Sequence, residues 1–315
     1  MQARVFSNIR NLMPLLLLVI MLIFFSAYIP NFFALQNFEN ISRQIAVYGI
    51  LAAGMTLAIL SGGIDLSVGS TLALSITVGG MAIDAGWPIY LVYIIILSVG
   101  GILGAINGFL VTRLNISPLI VTLATVNIYR GIAMVISRGL FVTGIPKSYL
   151  VIGGGYMPLI LYTAVYLIFI IITVYTKFGR NIFAMGGNEI AAIYSGVPVK
   201  RYKLYIYTIV GLTAAIAGLI FIGRSGFSAP QVGVGYEFNA IAAVVIGGTY
   251  ILGGDGSIFR TIIGSILMSV LIVGLTMLGV DPNWQGAVTG GLILLAISLD
   301  SLRYYGGRKK VGNNE

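Results

Sequence analysis

Residues 177–203, KFGRNIFAMGGNEIAAIYSGVPVKRYK, form a polar, glycine-containing insert between two long hydrophobic runs. The backbone N–H and C=O groups of such an insert would lack hydrogen-bond partners in lipid, so the insert must lie in water. It is long enough to fold a short helix that another protein could bind. Because hydrophobic runs flank it, the pattern indicates a membrane channel or carrier that is moved by a partner. The insert contains six charged residues: Lys177, Arg180, Glu189, Lys200, Arg201 and Lys203.

The overall composition is that of a membrane protein. Of the 315 residues, 58% are hydrophobic and 9% are charged, whereas soluble domains contain about 25% charged residues. The formal net charge of +9 comes from basic residues spread over many short loops, with no basic stretch interleaved with aromatic residues. This distribution does not indicate nucleic-acid binding, and we attribute it to orientation in a lipid membrane.

The chain contains neither cysteine nor histidine. This excludes metal sites built from those residues, a Ser-His-Asp triad and a thiol nucleophile. A phosphate-binding loop of the Walker type is also missing, since Gly139 and Gly144 have the required spacing but Ile145 follows them. We therefore expect no catalytic residue, no metal site and no cofactor bound by this chain.

Hydrophobic runs of about 17–25 residues predict membrane spans, and the sequence contains ten candidates. We therefore expect an all-α, polytopic membrane protein with about ten transmembrane helices. Two candidates, residues 68–83 and 240–251, are short, and such segments can be broken or re-entrant helices that line a polar cavity. The candidates are residues 12–29, 45–60, 68–83, 89–111, 118–136, 157–174, 204–222, 240–251, 262–278 and 284–299.

The positions of lysine and arginine predict the orientation, because cytoplasmic loops are enriched in these residues. With the N-terminus in the cytoplasm, 13 of the 18 basic residues lie inside, four lie outside and Arg130 lies within a span. Both termini and the polar insert are then cytoplasmic. The first run could instead belong to a signal peptide, but no A-x-A cleavage site follows it, and we favour a spanning helix.

We expect a single domain. No loop is long enough to form a separate soluble unit, and no low-complexity linker divides the chain. Residues 1–315 are therefore expected to form one transmembrane permease-like domain, with residues 175–203 as a cytoplasmic loop within it.

The segment SGGIDLSVGS, residues 61–70, joins two spans. An ionised Asp65 at this join is costly unless it is paired or reaches water. The segment, which includes Ser67, could form a gate or pore element, or a simple turn in which Asp65 caps the following helix. A similar stretch, ILGGDGS at residues 251–257, joins a later pair of spans, and chance explains this similarity as well as an internal repeat does.

Arg130 lies near the outer end of a span, with Asn127 and Tyr129 close to it in sequence. A charge at that depth indicates a functional site, although the side chain could instead extend to the membrane interface. Neutral amides and aromatic rings near other spans suit the hydroxyl groups and C–H faces of a weakly bound sugar, and equally suit contacts between helices. They are Asn107, Gln231, Asn239, Trp284 and Gln285.

Several stretches resemble the ribose-type permease family of bacterial ABC importers. In the polar insert, they are Gly179-Arg180, AMGGNEIAA at residues 184–192, SGV at 195–197 and VKRYK at 199–203. Outside the insert, they are SGGIDLSVGS, LNISPLIVTLATVNIYRGIA at residues 114–133 and VGVGYEFNAIAAVVIGGTYILGGDGS at residues 232–257. The stretches occur in the family's order, and the resemblance extends over about residues 46–299.

The resemblance implies the membrane-spanning subunit of an importer of a monosaccharide, located in the bacterial cytoplasmic (inner) membrane. The implied partners, besides membrane lipid, are ATP-binding-cassette ATPase subunits that use ATP-Mg, a second permease subunit (identical or related) and an extracytoplasmic sugar-binding protein. The helix within residues 188–196 would dock on the ATPase. The residues implied in coupling are Arg180, Gly186, Gly187, Asn188, Glu189, Ser195 and Gly196.

The sequence departs from the family pattern at two positions near the expected pathway. Asn239 stands where an acidic residue is usual, and Tyr250 stands where serine is usual, so the substrate could differ from ribose. An ion-coupled secondary transporter remains the alternative, but it would need buried carboxylates, and Asp65 is the one strong candidate. The residues expected to line the translocation pathway or gate are Asp65, Ser67, Asn127, Tyr129, Arg130, Asn239 and Tyr250.

Overall fold

The computed structural model describes residues 2–311, and this part of the chain is 78% helical with no strand. A 3-10 turn, Val151–Gly153, follows α6, and a π-helical turn, Ile171–Tyr175, extends α7. The α-helices are α1 Gln2–Tyr28, α2 Leu35–Leu60, α3 Val68–Asp84, α4 Ile89–Arg113, α5 Pro118–Ser137, α6 Lys147–Leu150, α7 Met157–Ile170, α8 Lys177–Gly187, α9 Glu189–Tyr194, α10 Val199–Ser225, α11 Tyr236–Ile246, α12 Ile258–Met277 and α13 Pro282–Val311.

The long helices confirm the all-α membrane class. Within the described residues, six helices are long and apolar enough to cross a membrane: α2, α4, α5, α7 with its extension, α10 and α12. The apolar part of α1, together with α3 and α11, is helical but shorter. Each of the ten hydrophobic runs therefore folds at least in part as a helix.

The most buried long helices of the bundle are α2 and α10, and α4 packs against α10. The apolar window of α2 is 89% buried, whereas those of α4 and α5 are each 28% buried. Glycine permits the close packing of α4 on α10, since a Cβ atom at Gly100 would lie 2.5 Å from the Gly211 carbonyl oxygen. The exposed faces of α4, α5 and α7 are rich in isoleucine and leucine, which suits contact with lipid or with another membrane subunit.

One predicted run has wrong boundaries, and the polar insert ends in a helix. The run at residues 240–251 does not match a helix throughout, because α11 begins at Tyr236 and ends at Ile246, where the backbone turns and Gly248 adopts a φ of +85°. Residues 199–203, placed in the polar insert, form the first turn of α10. Their charged side chains therefore project from a helix and not from a loop.

Two helices, α3 and α11, begin inside the bundle and not at its surface. With 11 residues, α11 is about 16 Å long, roughly half the thickness of the hydrocarbon core. The non-helical segment before it meets the start of α3, since a Cβ atom at Gly69 would lie 2.1 Å from the carbonyl oxygen of Gly233. Both glycines are buried, so protein covers the irregular backbone at this contact.

Candidate functional site

The polar insert folds as two short helices, each with a side-chain cap. The Thr176 hydroxyl accepts a hydrogen bond from the Gly179 amide at the start of α8, at 3.3 Å. The Asn188 side-chain oxygen, Oδ1, accepts one from the Ala191 amide at the start of α9, at 2.9 Å. Capping of this kind stabilises a helix by about 1 kcal/mol. Gly196, with a φ of +82°, lies in the turn after α9.

Side chains of both short helices contact the beginning of α10. The Phe178 ring stacks on that of Tyr202 with 5.0 Å between centroids, and the Asn181 amide donates to the Tyr202 hydroxyl at 2.7 Å. Lys203 pairs with Glu189 at 2.6 Å. Since the Glu189 side chain is 47% exposed, the pair contributes at most about 1 kcal/mol. The aromatic stack therefore attaches α8 to α10, and the ion pair links α9 to α10.

The outer face of α9 exposes large apolar side chains that the sequence analysis did not select. Ile190 is 67% exposed, Ile193 54% and Tyr194 88%, while Ala192 on the opposite face is buried. The spacing of three and four residues places the exposed side chains on one face of the helix. Ser195 follows this face, and its hydroxyl donates to the Ala191 carbonyl oxygen at 2.9 Å. Arg180 is also exposed, on α8.

The end of α8 packs against two turns, one after α2 and one before α12. We call this contact the glycine junction, and its residues are Gly62, Gly186, Gly187, Gly253 and Gly254. A Cβ atom at Gly186 would lie 1.8 Å from the Leu60 carbonyl oxygen and 2.5 Å from the Gly254 nitrogen. The Gly254 amide donates to that same Leu60 oxygen at 3.1 Å. The end of α8 thus contacts the end of α2 and the turn before α12, backbone to backbone. The two similar stretches at residues 61–70 and 251–257 meet here.

Asp65, Ser67 and Tyr129 lie in one buried group, to which the structure adds Asn107. The Ser67 hydroxyl and amide donate to Asp65 Oδ1 at 2.6 and 2.8 Å. Asn107 Nδ2 donates to the Ser67 hydroxyl at 2.8 Å, and the Tyr129 hydroxyl lies 3.0 Å from Asn107 Oδ1. This Asp65 cluster joins α4 and α5 to the non-helical segment before α3, and Asp65 accepts from the residue that precedes α3.

Arg130 and Asn127 lie one turn apart on α5 and have different hydrogen-bond partners. Arg130 Nη1 donates to the carbonyl oxygens of Pro230 and Val232, at 2.6 and 2.5 Å, and so holds the segment before α11. Glu237, on the first turn of α11, contributes an attractive charge to Arg130 and was not selected from the sequence. Asn127 is exposed, and its amide donates along its own helix to the Leu123 carbonyl oxygen at 3.2 Å.

Asn239 and Tyr250 are also separated from each other. Asn239 lies in a pocket of about 480 Å³ among α2, α11, α12 and α13, where its carbonyl oxygen accepts a hydrogen bond from the Thr289 hydroxyl at 3.2 Å. Tyr250 lies in the turn before α12, and its amide donates to the Asp255 carbonyl oxygen at 2.8 Å. The residues expected along the pathway are therefore distributed over the Asp65 cluster, α5, this pocket and the turn beside the glycine junction.

The bundle, its two internal helix starts and the exposed α8–α9 pair define a multi-pass membrane protein of the transporter class. A family model described as "Branched-chain amino acid transport system / permease component" matches residues 37–297. The chain belongs to this family of permeases.

Individual relatives are similar over nearly the whole chain. The ribose import permease protein RbsC of Bacillus subtilis (strain 168) is 42% identical over 299 residues, which covers 92% of each chain. RbsC of Escherichia coli (strain K12) is 38% identical, covering 91% of this chain and 92% of the relative. The D-allose transport system permease protein AlsC of the same strain is 40% identical, covering 91% and 90%. No solved structure matches.

Proposed function

We propose that this chain is the membrane-spanning permease subunit of an ABC importer that carries a monosaccharide. The similarity to permeases named for ribose and D-allose over more than nine-tenths of the chain supports this function. ATP-Mg is hydrolysed by separate ATPase subunits, and a binding protein outside the cell delivers the sugar. The single structural observation that carries the proposal is the α8–α9 pair, which presents apolar side chains to water at one end of the bundle.

We place the α8–α9 end of the bundle in the cytoplasm. Thirteen of the 18 basic residues then lie on the cytoplasmic side, as the positive-inside rule requires. Ten helices cross or enter the membrane, counted without the short α6, α8 and α9. Both termini are cytoplasmic in this arrangement, and the protein spans the bacterial inner membrane many times.

The ATPase binds the exposed face of α9. Ile190, Ile193 and Tyr194 have the size and spacing of anchor residues that an apolar cleft accepts. Movement of α8 then passes to α2 and to the turn before α12 through the glycine junction, because backbone atoms in direct contact cannot approach further. The coupling residues Gly186 and Gly187 belong to that junction.

A second permease subunit, identical or related, completes the pathway. The exposed face of α5, which includes Asn127, would face the path between the two subunits, and Arg130 would shape its outer part. The Asp65 cluster, with Ser67 and Tyr129, forms the gate region where α3 begins. Asn239 contacts the sugar on the outer side, and Tyr250 lies at the inner exit beside the glycine junction.

The test is recovery of partner subunits with the tagged permease, extracted in mild detergent from its native host. We expect an ATPase to co-purify with the native chain, and Tyr194→Glu to reduce the amount recovered by about tenfold, because a charge at the centre of an apolar contact is costly. Tyr156→Glu is the matched control, since Tyr156 is 78% exposed but lies at the opposite end of the bundle.

Two results would overturn the proposal. Repeated recovery of the native chain without any ATPase, from intact membranes, would support the secondary transporter instead. Equal loss of ATPase in Tyr194→Glu and Tyr156→Glu would show that the α9 face is not the binding surface. A second permease in the eluate would establish a heterodimer, and its absence a homodimer.

A further inference from the structure

The pocket that contains Asn239 has the dimensions of a small-molecule site. Its volume of about 480 Å³ lies within the range of roughly 300–1,000 Å³ that such sites occupy. Gly235, Gly286 and Gly290 line it, and a Cβ atom built at any of the three would meet no atom within 4 Å. The walls are therefore set back at these positions, which leaves room for a bound molecule.

Polar and aromatic groups converge on this space. The rings of Tyr48 and Tyr236 stand edge to face with 5.0 Å between centroids. Tyr48 and Asn239 both line the pocket, and Asn239 Oδ1 accepts a hydrogen bond from the Thr289 hydroxyl. Aromatic rings pack on C–H faces, and amides and hydroxyls both donate to and accept from the hydroxyl groups of a ligand. The lining therefore suits a small molecule with several hydroxyl groups.

The charge of the lining distinguishes a sugar from an amino acid. None of the twelve residues that line the pocket is charged. A zwitterion would bring an ammonium and a carboxylate group into a site with no counter-charge, which is costly away from water. Arg224 is not among the lining residues, and its Nη1 donates to Gln44 Oε1.

We infer that this pocket binds an uncharged monosaccharide on the outer side of the permease, with Tyr48, Asn239 and Thr289 as the hydrogen-bonding contacts. This inference rests on the proposed import of a monosaccharide. It assigns to α13 a specific role, since Thr289 and Gly290 supply the wall that faces Asn239. Binding must be weak enough for the sugar to leave again, which agrees with contacts made by neutral groups alone.

Two neighbouring glycines offer a matched pair of variants. Gly290 lines the pocket, whereas Gly291 does not, and both have open space at the Cβ position. Gly290→Leu would place a large side chain in the pocket, and Gly291→Leu would add the same side chain outside it. Both changes replace glycine by a strong helix former within α13, so neither is expected to weaken the helix.

The experiment measures uptake of radiolabelled D-ribose, D-allose and D-galactose by host cells that express each variant with its native partners. We expect Gly290→Leu to lower uptake of the transported sugar by about tenfold or more, because leucine occupies the space that the sugar needs. Gly291→Leu should stay within about twofold of the native chain. ATPase recovery with the tagged permease should be the same in both variants. Equal uptake in Gly290→Leu and the native chain would overturn the inference.

A second pair of variants tests whether the Thr289 hydroxyl makes a hydrogen bond to the sugar, separately from any loss of space in the pocket. Thr289→Val removes the hydroxyl at constant size and should raise the KM for uptake, whereas Thr289→Ser keeps the hydroxyl and should not. An unchanged KM in Thr289→Val would remove this contact. If the native chain took up none of the three sugars and no other monosaccharide in a wider panel, the proposed function itself would fail. Equal uptake by the native chain and all variants would refute the inferred sugar site and leave the proposed function in place.

Discussion

Replacing Gly186 with alanine should disrupt the glycine junction, whereas the same change at Gly187 should not. Both residues lie in the last turn of α8. At Gly186, the new Cβ atom would lie 1.8 Å from the Leu60 carbonyl oxygen, but at Gly187 it would meet nothing within 4 Å. The two variants carry the same substitution in the same helix, and they differ in the contacts made with Leu60 of α2 and with Gly254.

The size of the effect follows from the contact distance. Ordinary van der Waals contact begins at 3.4 Å, so α8 and α2 must separate by about 1.6 Å from the built distance of 1.8 Å. That shift would stretch the Gly254–Leu60 hydrogen bond, now 3.1 Å long. Overpacking costs about 1–3 kcal/mol and a lost hydrogen bond about 0.5–1.5 kcal/mol. Better helix propensity offsets up to about 1 kcal/mol in both variants.

The assay compares three quantities in the assembled transporter: thermal stability in detergent, ATPase recovery and sugar uptake per ATP hydrolysed. We expect Gly186→Ala to lower stability by about 1–3 kcal/mol and to reduce uptake per ATP, while the ATPase still binds because the α9 face is unchanged. Gly187→Ala should match the native protein. If Gly186→Ala behaved as Gly187→Ala in all three, the junction would have no part in coupling.

Three further changes test other contacts. Glu189→Lys should uncouple uptake from ATP hydrolysis while leaving membrane insertion intact. The double variant Glu189→Lys with Lys203→Glu should restore part of the coupling. Normal uptake in the single variant would show that the Glu189–Lys203 pair has no part in coupling. Ser67→Ala should cost about 1–3 kcal/mol of thermal stability by depriving Asp65 and Asn107 of a buried partner. Ser75→Ala should be neutral, since its buried hydroxyl has no hydrogen-bond partner among the described residues. Asn127→Ala and Arg130→Ala should change the kinetics of sugar uptake, and unchanged kinetics in both would remove these two residues from the pathway.

The helices could be predicted because membrane spans need long hydrophobic runs, and such runs are visible without any tertiary contact. The ends of the helices were harder to predict. Glycine is neutral in a hydrophobic run, so Gly247 and Gly248 did not interrupt the candidate at residues 240–251, although the positive φ of Gly248 follows the end of α11. Likewise, the charges of residues 200–203 suggested a loop, but a charged first turn is compatible with α10.

The site could be predicted only where local sequence contrast was strong. The polar insert stands out because charge interrupts apolar sequence, but the exposure of Ile190, Ile193 and Tyr194 depends on what packs against the other face of α9. The Asp65 cluster depends on contacts across the bundle: Asn107 is 40 residues from Ser67. No spacing rule brings such residues together, so Asn107 was identified only as one of several scattered amides.

A single helix connects the glycine junction with the proposed sugar pocket. Leu60, whose carbonyl oxygen meets Gly254, and Tyr48, which lines the pocket, both belong to α2 and are separated by about 18 Å at 1.5 Å per residue. Because the α2 window is 89% buried, this helix cannot bend freely, and a displacement at Leu60 must be shared by Tyr48 or absorbed by repacking of the core. The helix α11 gives a second connection, from Asn239 to the Gly247 turn. A change imposed on α8 therefore has a short, rigid route to the pocket, and the Gly186→Ala and Gly290→Leu variants probe the two ends of that route.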